Sequence, residues 1–172
     1  RMLATKVGLG HKVAYREGSA LDMPFADDAF DGAYTIHVAM NIADKPTLYR
    51  EVHRVIRSGA KFGIYDILEG PAGGDLTFPV PWAATPETSF LVAIDRLRLM
   101  LEAADFEIES RSDRTAFALD FFTQLQRKAA GGPPPLGLHI LMGEDFPAKA
   151  ANMLDNVKRG RSAPWAIVCR KK

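Results

Sequence analysis

Residues 61–68 read Lys-Phe-Gly-Ile-Tyr-Asp-Ile-Leu, a strand-length run with apolar side chains on both faces. Such a run is at home in the centre of a parallel sheet, where helices cover it above and below. The flanks supply that pattern. Residues 45–57 carry Leu48, Val52, Val55 and Ile56 at helical spacing, with Asp44 placed to cap, Pro46 in the first turn and Gly59 to end the helix. Upstream, residues 1–6 read as a helix tail stopped by Gly8 and Gly10, residues 11–17 alternate Val13 and Tyr15 as a short strand, and residues 31–38 form a second strand. Downstream, Asp95 would cap a helix whose inner face is Leu97, Met100, Leu101 and Ala104. A strand through Phe106, Ile108 and Ser110 follows, then helices over 115–128 and 147–158 and a closing strand over 164–170. This alternation predicts one α/β domain with helices on both faces of its sheet.

Composition narrows the class of function. At 172 residues the chain holds one full domain, and 47% hydrophobic content is enough to build its core. Twenty-two basic against 21 acidic side chains leave a net charge of +1, which gives no electrostatic footprint for nucleic acid or an anionic membrane. No apolar run approaches membrane-spanning length, and no signal-peptide pattern opens the chain. The single cysteine, Cys169, excludes an internal disulfide framework and fits a reducing, cytoplasmic setting.

Two segments break the rhythm. Residues 69–90 hold four prolines, and residues 131–143 open Gly-Gly-Pro-Pro-Pro; loops of such length in a compact domain tend to carry function. The four histidines are scattered, so no spacing recommends a metal site. A Walker A loop, an HExxH helix and a G-x-S-x-G elbow are all missing. Gly8-Leu9-Gly10 imitates half of a dinucleotide loop, but it follows a helix tail and Val13 stands where the third glycine belongs. A nicotinamide-dependent dehydrogenase therefore ranks last.

The informative stretch is Gly18-Ser19-Ala20-Leu21-Asp22-Met23-Pro24-Phe25, which leads to Phe30-Asp31. Ile36-His37-Val38-Ala39-Met40-Asn41 follows, and then Glu51 to Ala60, which reads EVHRVIRSGA. In this order the motifs resemble the class I S-adenosylmethionine-dependent methyltransferases. Residues 78–91 and 131–138 resemble the branch containing glycine, sarcosine and dimethylglycine N-methyltransferases. The resemblance implies a Rossmann-like, doubly wound, mostly parallel sheet ending in a reversed strand hairpin. It implies S-adenosyl-L-methionine as cofactor and a small-molecule acceptor such as sarcosine or dimethylglycine, with a quinone-type or hydroxyl acceptor as the alternative. The family's first two strands, its glycine-rich loop and its ribose-binding acid have no counterpart in these residues. The expectation is the C-terminal part (1–172) of one methyltransferase domain, inactive alone, with acceptor-side loops at 69–90 and 131–143. Such a piece would form a homo-oligomer or be completed by an N-terminal segment. A non-catalytic interaction module stays open beside the enzyme.

The same resemblance assigns roles. Ser19, where the family carries an acid, Ala20 and Leu21 would form the adenine side of the cofactor site; the plain alternative is an ordinary turn. His37 would face both cofactor and acceptor and take a proton from the acceptor; otherwise it is a half-buried histidine satisfied by backbone. Met40, Asn41, Trp82 and His139 would line the acceptor side. Trp82 would offer its indole face to a cation, or else anchor its loop. Arg96 and Arg98 could pair a substrate carboxylate, though helix-surface arginines are usually just solvated. Methyl transfer from a sulfonium relies on aim and water exclusion, so a missing catalytic triad does not count against it.

Overall fold

The computed structural model describes residues 2–129 and 137–172. After a short helix α1 (Met2–Lys6), the chain runs β1 (Phe30–Ile36), α2 (Lys45–Val55), β2 (Ile56–Glu69), α3 (Ile94–Ala103), β3 (Phe106–Asp113), α4 (Thr115–Ala129), α5 (Leu138–Met142), α6 (Phe146–Lys158) and β4 (Ser162–Lys171). The four strands form one mixed sheet in the order β1-β2-β4-β3. β1 and β2 are parallel, and β4 lies antiparallel between β2 and β3. The reversed terminal strand is the one expected. It makes two of the three pairings antiparallel, so only β1–β2 carries the parallel character anticipated for the sheet.

Helices cover both faces. Alternate residues of β2 separate cleanly: Phe62, Ile64 and Leu68 pack with Leu48 and Val52 of α2 and Leu97 and Leu101 of α3. Ile67 faces the other way and packs with Met40 and with Met153 and Val157 of α6. The period-two reading of a doubly covered strand is thus realised at the residue level.

Several local expectations give way. Residues 11–17 form no strand. Val13 and Tyr15 have the right alternation, but a strand exists only through ladder pairing, and among the described residues no strand lies alongside. Between this segment and Phe25 and Phe30 lies an open cavity of about 900 Å³. Helix α2 ends at Val55 and passes directly into β2; Gly59, at φ +75°, sits within a bulge where β1 pairing jumps from Ile56 to Lys61. Helix α3 is capped at Ala93 without a side-chain bond, while Asp95 falls in its first turn. Of the segment 131–143, residues 131–136 lie outside the described part, and the remainder contains α5.

The long connection after β2 is strapped down by polar contacts. The Asn156 side chain of α6, fully buried, accepts from Thr77 N–H at 2.9 Å and donates to Thr77 O at 3.0 Å. Asn152 donates to Pro79 O at 3.0 Å. At its start, Gly70 crosses the α6–β4 turn so closely that a Cβ there would stand 2.2 Å from Gly160 O. Only glycine permits that approach.

Candidate functional site

The carboxyl ends of β1 and β2 carry the site. β1 stops at Ile36, and His37 turns the chain with φ +54° while its N–H donates to Tyr65 O at 2.8 Å. That left-handed conformation is uncommon for a side chain with a Cβ. The His37 ring meets Tyr65 edge to face, with centroids 5.3 Å apart. Although His37 keeps solvent contact, the walls around it lower its pKa by desolvation, which favours the neutral imidazole.

A 3₁₀ turn (Ala39–Asn41) then places Met40 and Asn41 beneath the long connection. The Asn41 amide nitrogen donates to Trp82 O at 2.8 Å and Thr88 O at 2.9 Å. Trp82 Nε1 donates to Ser89 Oγ at 3.0 Å. His37, Met40, Asn41 and Trp82 thereby line one cavity of about 470 Å³, closed on the other side by Phe117, Phe121 and Phe122 of α4 and by Met153 of α6. His139 is not among its lining residues; its ring lies 6.3 Å from that of Phe146, which is.

Ser19, Ala20 and Leu21 are elsewhere. They form a tight turn closed by a bridge between Ser19 and Asp22, in which Ser19 Oγ accepts from Leu21 N–H at 3.1 Å. Ala20 and Leu21 are half-buried against the α2–α3 side of the core. Helix α2 fixes the stretch that follows. Glu51 accepts from Met23 N–H at 2.8 Å, and Arg54 donates to Phe25 O and Met23 O while pairing with Glu51 and Asp27. The EVHR run thus holds the MPF run in place. Among the described residues no cluster of three or more His, Cys, Asp or Glu is arranged to hold a metal, and no helix is long and apolar enough to cross a membrane.

Beneath the 3₁₀ turn lie two buried charges that the sequence reading passed over. Lys45 Nζ donates to Ala39 O and Ile42 O, each at 2.8 Å, and to Phe90 O, tying the turn to the long connection. Burial lowers its pKa to about 8, so it still carries its charge at neutral pH. Asp66, 2% exposed, is pushed up to about 6 by burial, against the pull of the Ala39 and Ile67 N–H groups and of Lys45. A lone acid in an otherwise apolar strand was the available signal. The α4 aromatics were visible too, but their one-turn spacing reads equally as core.

Residues 1–64 match the family described as a methyltransferase domain. Solved structures extend the likeness over the rest of the chain. A sarcosine dimethylglycine methyltransferase assignment from Galdieria sulphuraria superposes with a TM-score of 0.75 at 12% identity, over 99% of this chain and 64% of that one. A geranyl diphosphate methyltransferase in complex with S-adenosylmethionine gives 0.74 at 16%, over 99% and 62%. The [4+2]-cyclase SpnF gives 0.72 at 25%, over 99% and 60%. The fold is that of the class I methyltransferases. Among curated relatives, methyltransferase phqN of Penicillium fellutanum is 41% identical over 66 residues, 38% of this chain and 20% of that protein. Sterol 24-C-methyltransferase erg6 of Aspergillus fumigatus is 35% identical over 65 residues, 38% and 17%. The aligned stretch is thus about a fifth of these relatives' length.

Proposed function

We propose that the chain is the acceptor-side part of an S-adenosyl-L-methionine-dependent methyltransferase acting on a small molecule. The observation that carries this reading is the convergence of His37, Met40, Asn41 and Trp82 on one cavity at the carboxyl end of the sheet, where open α/β folds bind ligands. The Ser19–Leu21 turn fits the adenine end of the cofactor: Ala20 and Leu21 present a half-buried apolar surface, the turn is closed by the Leu21 N–H bond to Ser19 Oγ, and the chain that leaves it is tied down at Met23 by Glu51 and Arg54. When bound, the cofactor supplies an activated methyl group on a sulfonium. The chain's own residues orient the acceptor, exclude water through the aromatic wall and, at His37, accept the proton that the acceptor releases. A neutral imidazole suits that last task. Two acceptor types fit these parts: an amine such as sarcosine or dimethylglycine, whose cation could rest on the Trp82 face, and a quinone-type or hydroxyl compound. A lone cysteine, Cys169, with no second one to pair with, is what supports a reducing, cytoplasmic setting.

Titration of the labelled 172-residue chain with S-adenosylmethionine, followed by amide NMR, tests the reading. Shifts should concentrate at Ser19–Leu21 and His37, in fast exchange. The expected dissociation constant is weaker than about 1 µM, because a glycine-rich loop and a ribose-binding acid are not among these 172 residues. Shifts elsewhere, or none, would overturn it and favour a second reading, an interaction module, for which the open outer edge of β1 speaks.

A further inference from the structure

The wall of the cavity at His37 decides between the two acceptor types. Trp82, Phe117, Phe121 and Phe122 supply aromatic faces, and Met40 and Met153 supply soft apolar ones. Among the described lining residues there is no Lys, Arg, Asp or Glu. Polar groups that might greet a charged ligand are already engaged: the Asn41 amide nitrogen by two carbonyls and Trp82 N–H by Ser89. The arginines that could have paired a carboxylate are not there. Arg96 lies beside Pro46 and Arg50 on the opposite face of the sheet, and Arg98 pairs with Glu102 at 2.8 Å. What remains polar is the His37 and Tyr65 rings and the Asn41 Oδ1 acceptor, lining an otherwise apolar space of about 470 Å³. That space is on the order of fifteen water volumes at about 30 Å³ each, far more than an amino acid the size of sarcosine fills.

Resting on the methyl-transfer reading, we infer that this cavity takes a bulky, uncharged, aromatic or polycyclic acceptor with a single hydroxyl-type group presented to His37 and Tyr65. It disfavours amino acids and other carboxylate-bearing acceptors. A carboxylate in this pocket would lose its water and find no cation, a cost of several kcal/mol. A flat apolar ring system loses nothing of that kind and covers the aromatic wall.

Calorimetry with the 172-residue chain separates the cases by charge at constant shape. 2-Naphthol should bind saturably, and 2-naphthoate and sarcosine at least about tenfold more weakly, a difference of about 1.4 kcal/mol or more. Phe121 lines the cavity and is 47% exposed, so its replacement should leave the fold standing; Phe121→Arg should narrow or reverse the naphthol-to-naphthoate ratio, and Phe121→Ala should weaken 2-naphthol without changing that order. Equal or tighter binding of naphthoate or sarcosine to the unaltered chain would overturn the inference. So would no binding of naphthol, or a ratio unmoved by Phe121→Arg. Methyl transfer is not part of this readout: naphthol binding together with a failed cofactor titration would leave the acceptor class standing and remove the methyl-transfer reading alone.

Discussion

Asp66 shows how a single residue couples the site to pH. Its carboxyl is buried under the 3₁₀ turn that carries Met40 and Asn41, and burial holds its folded pKa near 6, above the value for a free aspartate. The folded state therefore binds its proton more tightly than the unfolded state does. Stability from this group is complete below about pH 4 and is lost as pH rises through about 6, on the order of 3 kcal/mol in all. Asp66→Asn removes that dependence. Urea midpoints of the variant and the unaltered chain should diverge in the variant's favour between pH 4 and pH 7.5, and parallel curves would refute the assignment. Other single residues were readable from sequence for concrete reasons. His37, Met40, Asn41 and Trp82 stand in motifs whose order survives in one chain, and the fold gathers them into one cavity. His139 stood in a Pro/Gly-rich run without local pattern, and it does not join them. Asp66 and Lys45 were hidden because a buried charge is recognised by its tertiary surroundings, which a linear reading does not contain.

At the scale of elements, periodicity carried most of the information. Helices α2, α3 and α6 bury the positions their 3.6-residue spacing selects. The failures cluster where pairing or a partner element decides the outcome. Residues 11–17 alternate correctly yet form no strand, and β2 begins five residues earlier than its apolar run because Ile56 pairs with Phe30 of β1. The long connection after β2 is neither helix nor strand over most of its length, yet its path is determined by α6 through Asn156 and Asn152. Asn156→Ala leaves the N–H and C=O of Thr77 without their buried partner, which should lower stability by about 2–3 kcal/mol. Asn156→Asp, which keeps the acceptor and loses the donor, should fall between the two in thermal denaturation. Equal melting temperatures for all three would show that α6 does not hold the connection.

For the molecule as a whole, the exposed flank of β1 dominates behaviour. Among the described residues β1 pairs only with β2, and Tyr34 and Ile36 are 80% and 55% exposed. An unpaired, partly apolar edge recruits another strand. At tens of micromolar the chain is expected to run by light scattering as a species larger than 18.9 kDa; a clean monomer with cooperative unfolding would contradict this. The place of β4 has a consequence in time. It is the last element in chain order and the inner neighbour of both β2 and β3, and Gly63 meets Val168 only after some 105 residues. At about 5–20 residues per second on a ribosome, β2 waits roughly 5–20 s for its antiparallel neighbour, and β3 has no sheet to join until then. Phe62, Ile64 and Leu68 can be covered by α2 and α3 well before that, whereas the antiparallel edge of β2 stays open to chaperones and proteases until β4 arrives.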